Sequence, residues 1–168
     1  NWAAVYQLPV LFICEDNKYS ATTSTAGLTA GPGVAARANA LGVPSETADG
    51  NDVTDVHAVA GRLVAKIRAG EGPQLLHALT WRVRGHVSVD TQGYRDPLDL
   101  QGAIDADPLR RARASALAAG VTSAALDAID AEVLAEIEDA VAFANASPPP
   151  DPADAYTDIQ TTGADAWL

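Results

Sequence analysis

With 168 residues, 48% of them hydrophobic and 20% charged, the chain has the balance of a folded domain large enough to bury a core. Its 22 acidic residues against 11 basic give a net charge of −11, which disfavours non-specific binding to nucleic acid or to an anionic membrane. Cys14 is the single cysteine, so no internal disulfide forms and a reduced, cytoplasmic setting is expected. Charged residues interrupt every apolar run before it reaches membrane-spanning length.

Residues 1–7 (Asn-Trp-Ala-Ala-Val-Tyr-Gln) carry no signal-peptide pattern and read as the end of a helix already under way. The chain is therefore expected to begin inside a larger unit. Pro9 breaks that helix. The apolar run Leu8-Pro9-Val10-Leu11-Phe12-Ile13-Cys14 has strand length and helical flanks, the pattern of a buried parallel strand. It ends in a polar cluster, Glu15-Asp16-Asn17-Lys18-Tyr19. Residues 20–33, rich in Ser, Thr, Ala and Gly, read as a long loop.

Residues 34–41 are predicted as a short helix with Gly42 at C′, and residues 43–48 as a second extended segment. Asp49-Gly50-Asn51-Asp52 then turns the chain and supplies an N-cap. Val56, Val59, Ala60, Leu63, Val64 and Ile67 recur at helical spacing over residues 53–69, and Gly70-Glu71-Gly72-Pro73 stops the helix. Residues 74–81 are predicted as a third strand leading into a second polar cluster, Arg82-Val83-Arg84-Gly85-His86-Val87-Ser88-Val89-Asp90. Alternation of strand and helix predicts an α/β fold, a parallel sheet with right-handed crossovers.

Beyond Tyr94-Arg95-Asp96-Pro97 the pattern is helical. Asp107-Pro108 is a cap with proline at the first helical position, and that helix ends before Gly120. A longer helix over residues 123–146 has Leu126, Ile129, Val133, Ile137 and Val141 on one face. Asp127, Asp130, Glu132, Glu136, Glu138 and Asp139 form a solvated opposite face. Ser147-Pro148-Pro149-Pro150-Asp151-Pro152 opens an extended tail in which Tyr156 and Trp167 are candidate anchors. The expected organisation is an α/β domain over residues 1–96, with helices and tail over residues 97–168 packed on the same unit.

In open α/β sheets, ligands bind beyond the carboxyl ends of the strands, which places Glu15 to Tyr19 at an expected site. The Asn17 amide oxygen and neighbouring carbonyls are donors of the kind Mg²⁺ takes. A plain solvated turn is the competing reading, since Asp and Asn favour turns. His57 on a helix and His77 in a strand read as structural.

The ordered set Asn1-Trp2-Ala3-Ala4, Leu8-Pro9, Cys14-Glu15-Asp16-Asn17-Lys18-Tyr19, Asp49-Gly50-Asn51-Asp52-Val53 and Gly70-Glu71-Gly72-Pro73 carries a resemblance. It continues through Thr80-Trp81-Arg82, Gly85-His86, Asp90, Tyr94-Arg95, the Ala128-Ile129-Asp130 helix to Phe143 and Tyr156-Thr157-Asp158. Over nearly its whole length the chain resembles the C-terminal half of the alpha subunit of thiamin-diphosphate-dependent 2-oxo acid dehydrogenases. That group includes pyruvate, branched-chain 2-oxo acid and acetoin dehydrogenases, and Trp81-Arg82-Val83-Arg84-Gly85-His86 is most similar to the acetoin type.

The resemblance implies half of a thiamin-diphosphate-binding fold, with thiamin diphosphate and Mg²⁺ as cofactors. The family's metal motif opens with Gly-Asp-Gly and closes with Asn-Asn. Here the closing pair is Asp16-Asn17, which implies Asn17 and the Tyr19 carbonyl as metal ligands. Glu15 belongs to the same cofactor-binding stretch. Asp16 departs from the usual Asn; it either tunes the site or caps the turn. The family's Gly-His pair implies His86 as the residue that touches the diphosphate and assists catalysis, with Arg82, Asp90, Tyr94 and Arg95 on the same loop. Arg82 and Arg95 are expected to order that loop through Asp90 or Asp96. The serine phosphorylated in mitochondrial members is Val87 here, so that control is expected to be absent, and Ser88 is not at the same position. No Gly-Asp-Gly occurs in the sequence. The expected partners are a chain supplying that front half, a beta-type subunit and a lipoyl-bearing acyltransferase, with no nucleic acid or membrane. The implied function is decarboxylation of a 2-oxo acid or cleavage of acetoin with transfer to a lipoyl or other acceptor. A non-catalytic scaffold and a carbon–carbon bond-forming synthase are the alternatives.

Overall fold

A computed structural model of the chain describes residues 1–156. The anchor candidate Trp167 and the motif residues Thr157 and Asp158 lie outside the described residues. Three strands, β1 (Leu11–Asp16), β4 (Ser45–Asp49) and β5 (Gln74–Leu79), form a parallel sheet in the order β1-β5-β4. The helix α4 (Val53–Arg68) makes the connection between β4 and β5. Its sequence explains its limits. The Asp52 side chain accepts hydrogen bonds from the Thr54 and Asp55 amides, and Gly70 follows the last turn at φ 84°. The apolar stripe of α4 packs on the sheet, where Val59, Leu63, Leu76 and Ala48 form the buried core with Leu11, Val56 and Ala60 against them. Leu63 is fully buried because it projects from the middle of that stripe onto central strand β5.

β1 is parallel as expected but lies further along the chain. Pro9 has no amide hydrogen to donate, and the ladder opens with the Gln74 amide on the Val10 carbonyl. Pairing then runs to Asp16 against Leu79, and the Thr80 amide donates to the Asp16 carbonyl at 3.0 Å. Glu15 and Asp16 are thus strand residues, and the polar turn starts at Asn17. Burial also differs: Phe12 and Ile13 are 42% and 60% exposed, because β1 is the edge of the described sheet.

One helix precedes this strand, and a hairpin and two short helices follow it. The helix α1 spans Trp2–Val5, and residues 20–33 are more structured than a loop. A hairpin of β2 (Tyr19–Ser20) and β3 (Thr23–Ser24) leads into a single helical turn, α2 (Thr25–Leu28). α3 covers Val34–Ala40, with Gly42 in the left-handed region after it. Two further helices, α5 (Pro97–Asp105) and α6 (Pro108–Ala118), share one opening: an Asp cap followed by Pro at the first position.

Contacts divide the chain into two compact units, one over residues 1–120 and one from Val121 onward. α5 and α6 belong to the first, in which Arg111 of α6 bridges Asp49 at 2.8 Å and Asp52 at 3.2 Å. The second holds α7 (Ser123–Ala146), capped by Thr122, and a 3-10 turn over Pro152–Tyr156. The acidic face of α7 is exposed, as are Ile129, Val133, Ile137 and Val141. No helix among the described residues is long and apolar enough to cross a membrane.

Candidate functional site

The carboxyl end of β1 breaks into two overlapping side-chain turns. The Asp16 carboxylate accepts the Lys18 amide at 3.1 Å, and the Asn17 amide oxygen accepts the Tyr19 amide at 3.1 Å. Together they hold Lys18 at φ 69°, a conformation a non-glycine residue adopts only when its surroundings fix it. Asp16 has two more partners, Lys18 Nζ at 3.5 Å and His77 Nε2 at 3.1 Å. Burial pushes the Asp16 carboxyl up, but the hydrogen bonds from His77 and Lys18 outweigh it and leave the group below the usual carboxylate range. A cavity of about 600 Å³ opens here, lined by Cys14, Asp16, Asn17, Tyr19, Val34 and His77 among others. Burial, with Asp16 and Glu15 adding to it, pushes the Cys14 thiol up, away from a reactive thiolate.

The second polar cluster follows β5 as an irregular loop, and Tyr19 is where it meets the first. The Tyr19 ring lies 6.0 Å from that of Trp81 and 5.8 Å from that of Tyr94, with the Arg95 guanidinium 4.8 Å above its centre. Arg95 is buried, and its fork donates to the carbonyls of Arg82, Val83 and Arg84 and to the Gln92 side chain. Arg82 donates to the Ala21 carbonyl and to the Tyr94 hydroxyl, and its Nη1 lies 3.2 Å from His86 Nδ1. The expectation that Arg82 and Arg95 order this loop holds in kind, yet the partners differ. Neither forms a salt bridge with Asp90 or Asp96 among the described residues; they bind carbonyls instead, and Asp96 caps α5.

Asp90 organises the loop's tip. Its carboxylate accepts the His86 amide at 2.7 Å, the Tyr94 hydroxyl at 2.7 Å and the Gln92 amide at 2.8 Å. The amides of His86 and Gln92, then the Tyr94 hydroxyl, draw its pKa down to about 2. Gly85 is required there: a Cβ at that position would stand 2.6 Å from Asp90 Cβ. His86 is exposed and lines a separate cavity of about 420 Å³ with Arg84, Ser88 and Gln92. Asn17 and His86 are therefore linked through Tyr19 and Arg82 rather than by sharing one cavity. Glu15 is exposed and makes no side-chain hydrogen bond or ion pair among the described residues.

A model of the family described as dehydrogenase E1 component matches residues 1–153. The chain belongs to the dehydrogenase E1 component family. Among relatives of this E1 chain, the alpha subunit of acetoin:2,6-dichlorophenolindophenol oxidoreductase from Cupriavidus necator is 40% identical over 161 residues, 95% of this chain and 48% of the relative. The pyruvate dehydrogenase E1 component subunit alpha of Rhizobium meliloti is 37% identical over 161 residues, 95% and 46% of the two chains. The 2-oxoisovalerate dehydrogenase subunit alpha of Bacillus subtilis is 34% identical over 138 residues, 82% and 41%. The chain spans about half the length of the curated relatives it matches.

Within this E1 chain, the donors available at the β1 turn are the Asn17 amide oxygen and backbone carbonyls, hard oxygens that suit Mg²⁺. No group of three or more His, Cys, Asp or Glu among the described residues is arranged to hold a metal. The residue that sequence reasoning set aside is His77. It is one imidazole in the strand Leu75-Leu76-His77-Ala78-Leu79, and the register that places it opposite Cys14 joins residues 63 apart. A polar residue inside the apolar run from Leu75 to Leu79 was the signal available.

Proposed function

We propose that this chain is the C-terminal half of an alpha-type subunit of a thiamin-diphosphate-dependent dehydrogenase acting on a 2-oxo acid or acetoin. One observation carries the reading: the turn bearing Asn17 and Tyr19 and the loop bearing His86 are tied into one network by Arg82, Tyr94 and Arg95. Asn17 and the Tyr19 carbonyl would hold Mg²⁺, and the aspartate of a Gly-Asp-Gly segment from outside these residues would complete its protein ligands. When bound, thiamin diphosphate supplies the carbanion chemistry.

The chain's own residues position and protonate. An arginine has donors only, so His86 Nδ1 accepts from Arg82 and the imidazole proton sits on Nε2. That leaves Nε2–H as the donor toward a diphosphate oxygen or a reacting group. Asp90 fixes the His86 backbone, and Arg82 orients its ring. Glu15 and Arg82 would contribute to the cofactor-binding surface. Trp2, Tyr6, Phe12 and Ile13 form exposed apolar surface, which supports docking of the front half and of a beta-type subunit. A lipoyl-bearing acyltransferase would accept the product, and the single free cysteine suits a cytoplasmic enzyme.

The test is turnover by the assembled enzyme, with 2-oxo acids and acetoin as substrates and a redox dye as acceptor. The expected result is activity that requires thiamin diphosphate and Mg²⁺ and falls at least a hundredfold in His86→Ala, within the usual range for loss of an acid–base group. Cofactor binding without turnover of any of these substrates would refute the catalytic reading and leave a scaffold.

A further inference from the structure

We infer that Asp16 and His77 act as a positioning pair that sets the metal-binding turn, so that His77 controls metal affinity without touching the metal. The inference rests on the assignment of Asn17 above. Asp16 directly precedes Asn17, and its carboxylate has three partners, of which the Lys18 ammonium is the longest at 3.5 Å. Oδ1 accepts the Lys18 amide at 3.1 Å, which closes the turn; Oδ2 takes His77 Nε2 at 3.1 Å. Rotation of the carboxylate would break both contacts together, so the His77 contact holds the turn-closing oxygen in place. An ionised carboxylate only accepts, which puts the proton of this hydrogen bond on His77 Nε2. Both side chains are largely covered, at 12% exposure for His77 and 20% for Asp16, so water competes weakly for the pair.

The location gives the pair its leverage. Lys18 lies between Asn17 and Tyr19 in the left-handed region, the Asp16 and Asn17 side chains close the turn around it, and the Thr25 amide on the Lys18 carbonyl at 2.9 Å ties it to the residue that follows the β2–β3 hairpin. With Asp16 released, Lys18 loses one of the bonds that hold its positive φ, and the positions of the Asn17 oxygen and the Tyr19 carbonyl are less sharply set. His77 stands on β5, the strand that continues through Thr80 and Trp81 to Arg82 and the His86 loop. The Thr80 amide on the Asp16 carbonyl adds a second tie between the same two strand ends. The pair therefore couples the placement of the Asn17 turn to the strand that delivers His86.

The experiment uses the assembled enzyme and measures, by calorimetry, the Mg²⁺ concentration that half-saturates thiamin diphosphate binding. His77→Leu removes the donor, His77→Gln keeps an amide donor, Asp16→Ala removes the acceptor, and Asn17→Ala is the reference. Outer-shell partners of metal ligands are worth about 10- to 100-fold in affinity. We expect His77→Leu to raise the half-saturating Mg²⁺ at least about tenfold, with His77→Gln recovering most of the loss. The double variant with Asp16→Ala should be no worse than the weaker single one, since the two residues act as a unit. If His77→Leu does not assemble, Asp16→Ala carries the same criterion. Unchanged Mg²⁺ dependence in His77→Leu or Asp16→Ala, with a clear loss in Asn17→Ala, overturns this inference alone. Multiplying losses in the double variant also overturn it. Unchanged Mg²⁺ dependence in Asn17→Ala overturns the assignment of the metal turn and this inference with it.

Discussion

Arg95→Ala should release the His86 loop without unfolding the sheet. Arg95 is 6% exposed, and its guanidinium holds the carbonyls of Arg82, Val83 and Arg84 together with the Gln92 side chain. Each hydrogen bond to a charged donor contributes about 1.5–3 kcal/mol net, and the stack on Tyr19 adds about 1 kcal/mol. The freed carbonyls reach water once the loop opens, so the orphaned-acceptor penalty does not apply. Counting the Arg82 and Gln92 contacts at the low end with nothing further from the weaker ones gives about 3 kcal/mol. That is roughly a hundredfold rise in the open fraction of the loop. Hydrogen exchange of residues 82–92, read by mass spectrometry, should accelerate about a hundredfold, while residues 59–64 of α4 keep their protection. Arg95→Lys keeps the charge but loses the fork, and should lie between wild type and Ala. Exchange of the loop unchanged in Arg95→Ala would refute the reasoning, as would equal acceleration in α4.

Three further outcomes follow from the same geometry. The Asp90 carboxyl, held near 2 against an unfolded value of about 3.9, contributes loop order fully above pH 4 and loses it as pH falls through 2. Exchange-corrected protection of the His86 amide should therefore persist from pH 7 to about pH 4 and decline only below it; Asp90→Asn should abolish that pH dependence. Leu63→Ala removes a fully buried side chain from the core between α4 and β5, and should lower unfolding free energy by about 2–5 kcal/mol in denaturant titrations. Arg111→Ala breaks a half-exposed bridge to Asp49 and Asp52, and should leave the denaturation midpoint close to that of wild type in the same assay.

Local chemistry was legible in the sequence and long-range pairing was not. Helix limits were readable where a cap was recognised: Asp52 and Gly70 around α4, Asp107-Pro108 and Gly120 around α6. Asp96-Pro97 has the same signature as Asp107-Pro108, and it opens α5, a helix whose limits were not foreseen. The end of β1 was misplaced because Glu15 and Asp16 look like turn residues, while pairing with Ala78 and Leu79 keeps them in the strand. Phe12 and Ile13 read as buried because they are apolar, but a strand's burial depends on what lies beside it. In the site, Asn17 and His86 were named as candidates by motif. The Asp16–His77 pair spans 61 residues, and the Arg95 contacts run to backbone carbonyls, which no side-chain pattern encodes.

The central claim is that Asn17 supplies a ligand to a metal that binds with thiamin diphosphate, with His86 on the diphosphate. Titration of the assembled enzyme with thiamin diphosphate at a series of Mg²⁺ concentrations tests it most directly, comparing wild type with Asn17→Ala and His86→Ala. The account predicts that Asn17→Ala raises the Mg²⁺ requirement at least tenfold, about 1.4 kcal/mol, and that His86→Ala weakens cofactor binding at saturating Mg²⁺. Saturation curves that superimpose for all three proteins would contradict it.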